Sequence, residues 1–248
     1  MKILVCISHV PDTTSKINFT NNDTEFDTNG VQYVINPTDE FGLTRAIWFQ
    51  EQQAATVTVV NVGGPETEPT LRKALAIGAN SAIRINANPI DGFFVAQQLA
   101  QIIKKEQYDV VIAGKESLDY NGGMVPGMIA ALLDYNFVNA CTEITVEGTN
   151  AKVSREIDGG KEIVSATLPL IIGAQKGLVE EKDLRIPNMR GIMSARTKPL
   201  VVVEPFDCQS TTKSVGFEKP APKSSVKLVA ADNLDELINL LHNEAKVI

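Results

Sequence analysis

The sequence predicts an α/β protein built on an open, mostly parallel sheet of the Rossmann-like three-layer kind, with an antiparallel extension and a C-terminal arm. Three observations predict it. Near-continuous apolar runs recur at residues 2–8 (KILVCIS), 56–62 (TVTVVNV) and 109–113 (DVVIA), the pattern of strands buried on both faces. Helical patterns separate these runs, and strands alternating with helices imply right-handed crossovers and a parallel sheet. Beyond about residue 135 the runs become short and alternating and are divided by turn residues, which marks the antiparallel part.

Taken in order, residues 2–8 form the first central strand. Cys6 inside it reads as a small core residue, not a nucleophile. Strand-like residues 31–35 lead into Asn36-Pro37-Thr38-Asp39-Glu40, which opens a helix. Asn36 suits the N-cap, Pro37 the first helical position, and Asp39 and Glu40 complement the positive helix end. The second strand, TVTVVNV, ends in Gly63-Gly64-Pro65, and Leu71, Ala74 and Leu75 give one apolar face to a helix before Gly78. Residues 91–107 carry Val95, Leu99, Ile102 and Ile103 at i, i+4, i+7 and i+8, a second amphipathic helix. The third strand runs into a glycine-bearing loop at residues 114–127 (GKESLDYNGGMVPG). Residues 142–146, 151–157 and 161–168 are short alternating strands, and Asp158-Gly159-Gly160 is a hairpin signal between the last two. A charged stretch at 176–196 precedes one more strand at 199–203. After Glu204 the chain is Ser/Thr/Lys/Pro-rich, notably at Lys219-Pro220-Ala221-Pro222-Lys223, and reads as an extended arm. It ends in a short helix at 233–243 with Leu234, Ile238 and Leu241 on one face, packing on its own domain or on another chain. The expected organisation is thus one nucleotide-binding domain, 1–205, and an arm, 206–248.

Composition narrows the function. The 248 residues are 44% hydrophobic and 21% charged, ordinary for a globular chain with a sizeable core. A net charge of -7 repels phosphate backbones, which argues against bulk nucleic-acid binding. Cys6, Cys141 and Cys208 are scattered without a CxxC pair, and His9 and His242 are the two histidines, so neither a disulfide framework nor a metal site is expected. The longest apolar stretch, around 168–174, is far below membrane-span length, and the opening run is too short for a signal peptide. The expected location is the cytoplasm or an organelle matrix.

Open parallel sheets bind ligands beyond the carboxyl ends of their strands. Three segments fall there: Ser8 to Asp12, Val62 to Pro65, and the 114–127 loop. Glycines let a ligand approach the backbone, and amides at a helix start hold phosphate. Taken singly, each loop is equally well a tight turn; their convergence on one sheet edge favours a nucleotide site. No P-loop, GxSxG elbow, HExxH motif or Ser/His/Asp order is present, and His9 reads as a structural hydrogen-bonder. A nucleotide crevice without bond-making machinery suits a carrier or binding protein with no catalytic residue.

The string at residues 155–200 (REIDGGKEIVSATLPLIIGAQKGLVEEKDLRIPNMRGIMSARTKPL) resembles the signature region of electron-transfer flavoprotein beta subunits. An R-x-x-D-G-G-x-E hairpin, an L-P strand and an I-M-x-A-x-x-K-P segment stand in order. Asn36-Pro37 with Glu40, Gly64-Pro65 with residues 74–79, and Gly114-Lys115 with Asp119 agree upstream. The resemblance implies a heterodimer with an alpha subunit that holds most of one FAD, and a structural AMP in the beta subunit. In a minority branch a second FAD replaces AMP, and the complex splits electron pairs from NADH. Carried over by position, the AMP site takes in Cys6, Asn36, Pro37, Thr38, Asp39, Gly63 and the loop and helix start at Gly123, Met124, Val125, Pro126, Gly127 and Met128. Met124 to Gly127 replace the family's common Q-[TV]-G-Q stretch, and Thr13 and Thr38 stand where aromatic residues are frequent near the flavin. The resemblance also implies a loop at about 180–196 that grips flavoprotein dehydrogenases by an apolar anchor. Met189 is the preferred anchor, because a flexible thioether suits several partners; Ile186 is the alternative, and Arg185 and Arg190 flank it. A non-redox adenine-nucleotide-binding regulatory protein is the reading from another class, and an ATP-using ligase is disfavoured by the missing phosphate clamp.

Overall fold

A computed structural model describes residues 1–222 and 225–248; Lys223, the last residue of the Lys-Pro-Ala-Pro-Lys string, lies outside the described residues. In chain order the elements are β1 (Lys2–Cys6), β2 (His9–Pro11), β3 (Phe19–Thr20), β4 (Glu25–Phe26), β5 (Tyr33–Ile35), α1 (Pro37–Gln53), β6 (Thr56–Val62), α2 (Glu68–Ile77), β7 (Ser81–Ile85), α3 (Gly92–Glu106), β8 (Val110–Gly114), α4 (Val125–Leu133), β9 (Asn136–Glu147), β10 (Asn150–Ile157), β11 (Gly160–Thr167), β12 (Leu170–Ala174), α5 (Met189–Ala195), β13 (Leu200–Val203) and α6 (Leu234–Asn239).

Among the described residues, nine strands form one sheet in the order β11-β10-β9-β12-β8-β1-β6-β7-β13. Every pairing from β9 across to β13 is parallel. Only β10 runs against its neighbours, β9 and β11, which makes the antiparallel extension. The expected hairpin is present: β10 and β11 are joined by Asp158 and Gly159, and Gly159 has φ +83°, where a side chain would be strained.

The apolar runs divide their side chains between two layers. Ile3, Val5 and Ile7 face the core under α1 and α2, with Phe41, Leu43, Leu71 and Leu75. Leu4 and Cys6 face the other core, under α3 and α4, with Phe94, Leu99, Ile103 and Ile129. Burying each Leu or Ile contributes about 1.5–3 kcal/mol, so a strand with no polar face is stable only when covered twice.

Three features depart from expectation. The strand-like 31–35 segment is a strand only over Tyr33–Ile35 (β5), and it pairs with β2 in a separate two-stranded ribbon. Ser81–Ile85 is a full central strand that the apolar-run criterion misses, because Arg84 interrupts it. Its guanidinium is buried, donating to Gly63 O at 3.0 Å and Asn86 Oδ1 at 2.8 Å and pairing with Glu68 at 3.1 Å. Finally, Asn36 sits at the N-cap of α1, with Pro37 in the first turn, yet makes no capping hydrogen bond; its side chain points at the loop after β8.

The stretch at 180–196 folds back onto α2. Arg72 Nη1 donates to Ala195 O at 2.7 Å and Lys198 O at 2.9 Å, and Lys198 Nζ donates to Leu75 O and Ala79 O. A Cβ at Gly191 would collide with Ala76 O, so glycine permits the contact of α5 with α2.

The first part of the arm packs on its own domain. Gln98 exchanges two hydrogen bonds with the Phe206 backbone, at 2.7 and 2.8 Å. Phe217 stacks on Phe19 at 5.0 Å between centroids, and Lys219 Nζ reaches Asn18 Oδ1. Further on, α6 leaves Leu234, Leu237 and Ile238 exposed.

Candidate functional site

The winding of the sheet reverses at β1. The chain leaves β1 for β6 and β7 on one side, then returns to β8 on the other. Loops that diverge from neighbouring strands leave a crevice beyond the strand ends. A cleft of about 1140 Å³ opens there. Its walls come from the three loops singled out in the sequence, from the start of α4 and, unexpectedly, from Thr212, Lys213 and Ser214 of the arm.

At the cleft floor, Asp39 clips the two diverging strands together. Its Oδ2 accepts from Ser8 N at 2.7 Å and its Oδ1 from Gly114 N at 2.8 Å. Burial drives its carboxyl up to about 7, and the donors from Ser8, Asn36 and Gly114 pull it only partly back. A Cβ on Gly114 would collide with Thr38 Oγ1 and Asp39 Oδ1, so only glycine lets the loop after β8 lie against α1. Cys6 lines the same floor; burial, reinforced by the Asp39 charge, pushes its thiol far above the ordinary value and leaves it inert.

Asn36 and Thr38 stand behind the wall and hold it. Asn36 Nδ2 donates to Glu116 O at 2.9 Å and to Thr38 Oγ1 at 2.7 Å, and Asn36 Oδ1 accepts from Leu118 N at 3.2 Å. Thr38 Oγ1 donates to Glu116 O at 2.7 Å. On the opposite wall Asn61, 5% exposed, donates to Ile7 O at 2.8 Å, while its Oδ1 has no partner. An unmade hydrogen bond at a buried amide oxygen costs about 1–3 kcal/mol. Gly63 adjoins Asn61 and is braced from behind by Arg84.

The helix start supplies donors. The first turn of α4 carries neither an acidic residue nor a side-chain cap, so its amides and positive dipole end are available to an anion. His9 has the structural role expected: Nδ1 and Thr70 Oγ1 share a hydrogen bond of 2.8 Å, and the ring stacks flat on Tyr33 at 4.3 Å. Burial lowers its pKa, against a smaller opposing pull from Glu66, which favours the neutral ring.

Of the nucleotide-site residues expected from the sequence, Cys6, Asp39, Gly63, Met124, Val125 and Pro126 line the cleft. Asn36 and Thr38 scaffold it, and Pro37 starts α1 behind them. Gly123 lies against Lys115 O, Gly127 faces Phe137, and Met128 packs into the core beneath α4. Asn61, Tyr33, Tyr120, Asp91 and the arm escape the sequence reading. Asn61 alone carries a usable signal, a polar side chain inside an apolar strand.

Residues 23–207 match the family model described as the Electron transfer flavoprotein domain. The electron transfer flavoprotein subunit beta of Bacillus subtilis is 34% identical over 262 residues, covering 100% of both chains. The chain belongs to the electron transfer flavoprotein beta subunit family. Its human relative, also an electron transfer flavoprotein subunit beta, is 30% identical over 94% of this chain and 95% of its own. The mitochondrial relative from Oryza sativa subsp. japonica is 31% identical over the whole of both. These relatives are electron transfer flavoprotein subunits. Family membership accounts for the order of hairpin, Leu-Pro strand and 180–196 segment along the chain. In this family member that segment exposes Ile186 (81%), Met189 (74%) and Met193 (67%), with Arg190 beside them. Asn188 caps α5 by accepting from Gly191 N at 2.8 Å, which fixes where Met189 emerges. Among the described residues no helix is long and apolar enough to cross a membrane, and no cluster of His, Cys, Asp and Glu could hold a metal.

Proposed function

We propose that the chain is the beta subunit of a heterodimeric electron-transfer flavoprotein, that it binds AMP in the cleft, and that it helps shuttle electrons from flavoprotein dehydrogenases through FAD held mainly by the alpha subunit. The observation that carries this reading is the open cleft at the strand reversal, which no side chain plugs. Its donor set suits an adenylate. The uncapped α4 start faces an anion, and Asn61 and Gly63 line the same cleft. FAD, when bound, supplies the redox chemistry; this chain contributes a scaffold and docking surfaces. Exposed Leu234, Leu237 and Ile238 on α6 suit an apolar partner surface, consistent with an alpha subunit gripped by the arm. Met189, or else Ile186, anchors the dehydrogenase, with Arg190 at its flank. The cytoplasm or an organelle matrix is the proposed place of work.

One observation favours a second reading. The cleft exceeds the ~300–1,000 Å³ that encloses most small ligands, so it also admits a second FAD, as in an electron-bifurcating complex that uses NADH. Co-production with the alpha subunit, followed by an absorption spectrum and mass spectrometry of the extracted ligands, separates them. One FAD and one AMP per heterodimer supports the first reading, and two FAD the second. A colourless homodimer would overturn both and leave a non-redox regulatory protein.

A further inference from the structure

We propose that the arm segment at Thr211–Ser214 is the outer wall of the nucleotide cleft, and that the Lys213 ammonium is the cationic partner of the ligand's phosphate. This rests on the nucleotide reading of the cleft and goes beyond it, since the sequence reading gave the arm no part in the cleft.

Charge in the cleft requires such a group. Its lining includes Asp39, Glu66, Asp91, Glu116 and Asp119, and among the described lining residues Lys213 is the only lysine or arginine. A phosphate entering beside carboxylates is repelled unless a cation lies close to it. Arg84 sits behind the wall but is engaged with Gly63, Glu68 and Asn86. Lys213 is exposed and forms no ion pair among the described residues.

Position agrees with charge. Asp91 Oδ2 accepts from Thr211 N at 2.6 Å and Thr212 N at 2.7 Å, and from both threonine hydroxyls at 3.2 Å. Its Oδ1 caps α3 through Phe94 N at 2.6 Å. One carboxylate therefore ties the arm to a helix start immediately before Lys213. The next residue, Gly92, touches the start of α4: a Cβ there would lie 3.1 Å from Met124 and 3.5 Å from Val125. The clasp and the start of α4 are neighbours, and Lys213, one residue beyond the clasp, lines the same cleft as Met124 and Val125. Asn61, whose side-chain oxygen is buried and unpartnered, lines the same cleft.

The test uses the full chain co-produced with its alpha subunit and stripped of nucleotide. AMP and adenosine are titrated calorimetrically into wild type, Lys213→Met and Lys213→Arg, with FAD replacing AMP if FAD is the extracted ligand. Lys213→Met is expected to weaken AMP roughly tenfold, the worth of one charge-assisted hydrogen bond, while adenosine affinity stays constant and Lys213→Arg restores AMP. Asp91→Asn is expected to lower AMP affinity similarly, and the double variant to fall little further. Unchanged AMP affinity in Lys213→Met, or equal losses for AMP and adenosine, overturns the role of Lys213 and leaves the nucleotide site standing. A wild-type complex that binds neither AMP, adenosine nor FAD overturns the nucleotide reading, and this inference with it.

Discussion

Replacing Asp39 by asparagine should change the sign of its effect on stability with pH. In the folded chain the Asp39 carboxyl titrates at about 7, against an ordinary 3.8, because burial outweighs its hydrogen bonds. The folded state thus holds the proton more tightly than the unfolded state. That contribution is fully present below about pH 4 and is lost as pH rises through about 7. A difference of about three pH units at 1.36 kcal/mol each makes the loss about 4 kcal/mol. Asparagine does not titrate, but it accepts through one oxygen. Either Ser8 N or Gly114 N then faces an amide –NH2, at a cost of about 2 kcal/mol. Asp39→Asn should therefore be less stable than wild type by about 2 kcal/mol near pH 4, and more stable by about 2 kcal/mol near pH 8. The two curves should cross between roughly pH 5 and 6. Urea unfolding of both proteins across this range, with denaturant slopes compared, measures it. Parallel curves, with one constant difference from acid to alkaline, would refute a protonated Asp39 at the strand reversal.

Gly114→Ala should destabilise the chain by about 1–3 kcal/mol, because the added methyl meets Thr38 and Asp39; thermal unfolding measures the loss, and nucleotide retention should fall with it. Met189→Ala should leave the melting temperature unchanged, since the side chain is 74% exposed, but weaken dehydrogenase docking by about 2 kcal/mol; electron delivery unchanged from every dehydrogenase tested would remove Met189 as the anchor. Exchanging Leu234, Leu237 and Ile238 together for serine should spare folding of the domain and lower heterodimer affinity at least tenfold by sedimentation or calorimetry, as burial of three large side chains is lost.

The sheet was legible wherever local chemistry expressed it. KILVC, TVTVV and VVIA announce doubly covered strands because no charged side chain interrupts them, and Asp158-Gly159 announces its turn because few residues accept that backbone. The Arg84 strand was hidden because a buried guanidinium looks exposed until its carbonyl and carboxylate partners are known. Asn36 read as a helix cap for the same reason: the group that claims its amide lies 80 residues away at Glu116. The site was legible as three loops on one rim. Asp39 as a clip and Asp91 as a clasp depend on pairings between distant segments, and no local pattern encodes those. The ribbon of β2 and β5 was missed because two three-residue strands carry too little alternation to register.

The bond from Lys219 to Asn18 joins residues 201 positions apart, and the Phe217–Phe19 stack seals the same seam. A loop that long closes late, because its ends must meet after nearly everything between them is already ordered. On the ribosome, the tail emerges only when the rest of the chain has been synthesised, so the crevice stands unroofed throughout synthesis. On the nucleotide reading proposed above, a ligand would enter before the arm closes over the crevice and leave more slowly afterwards.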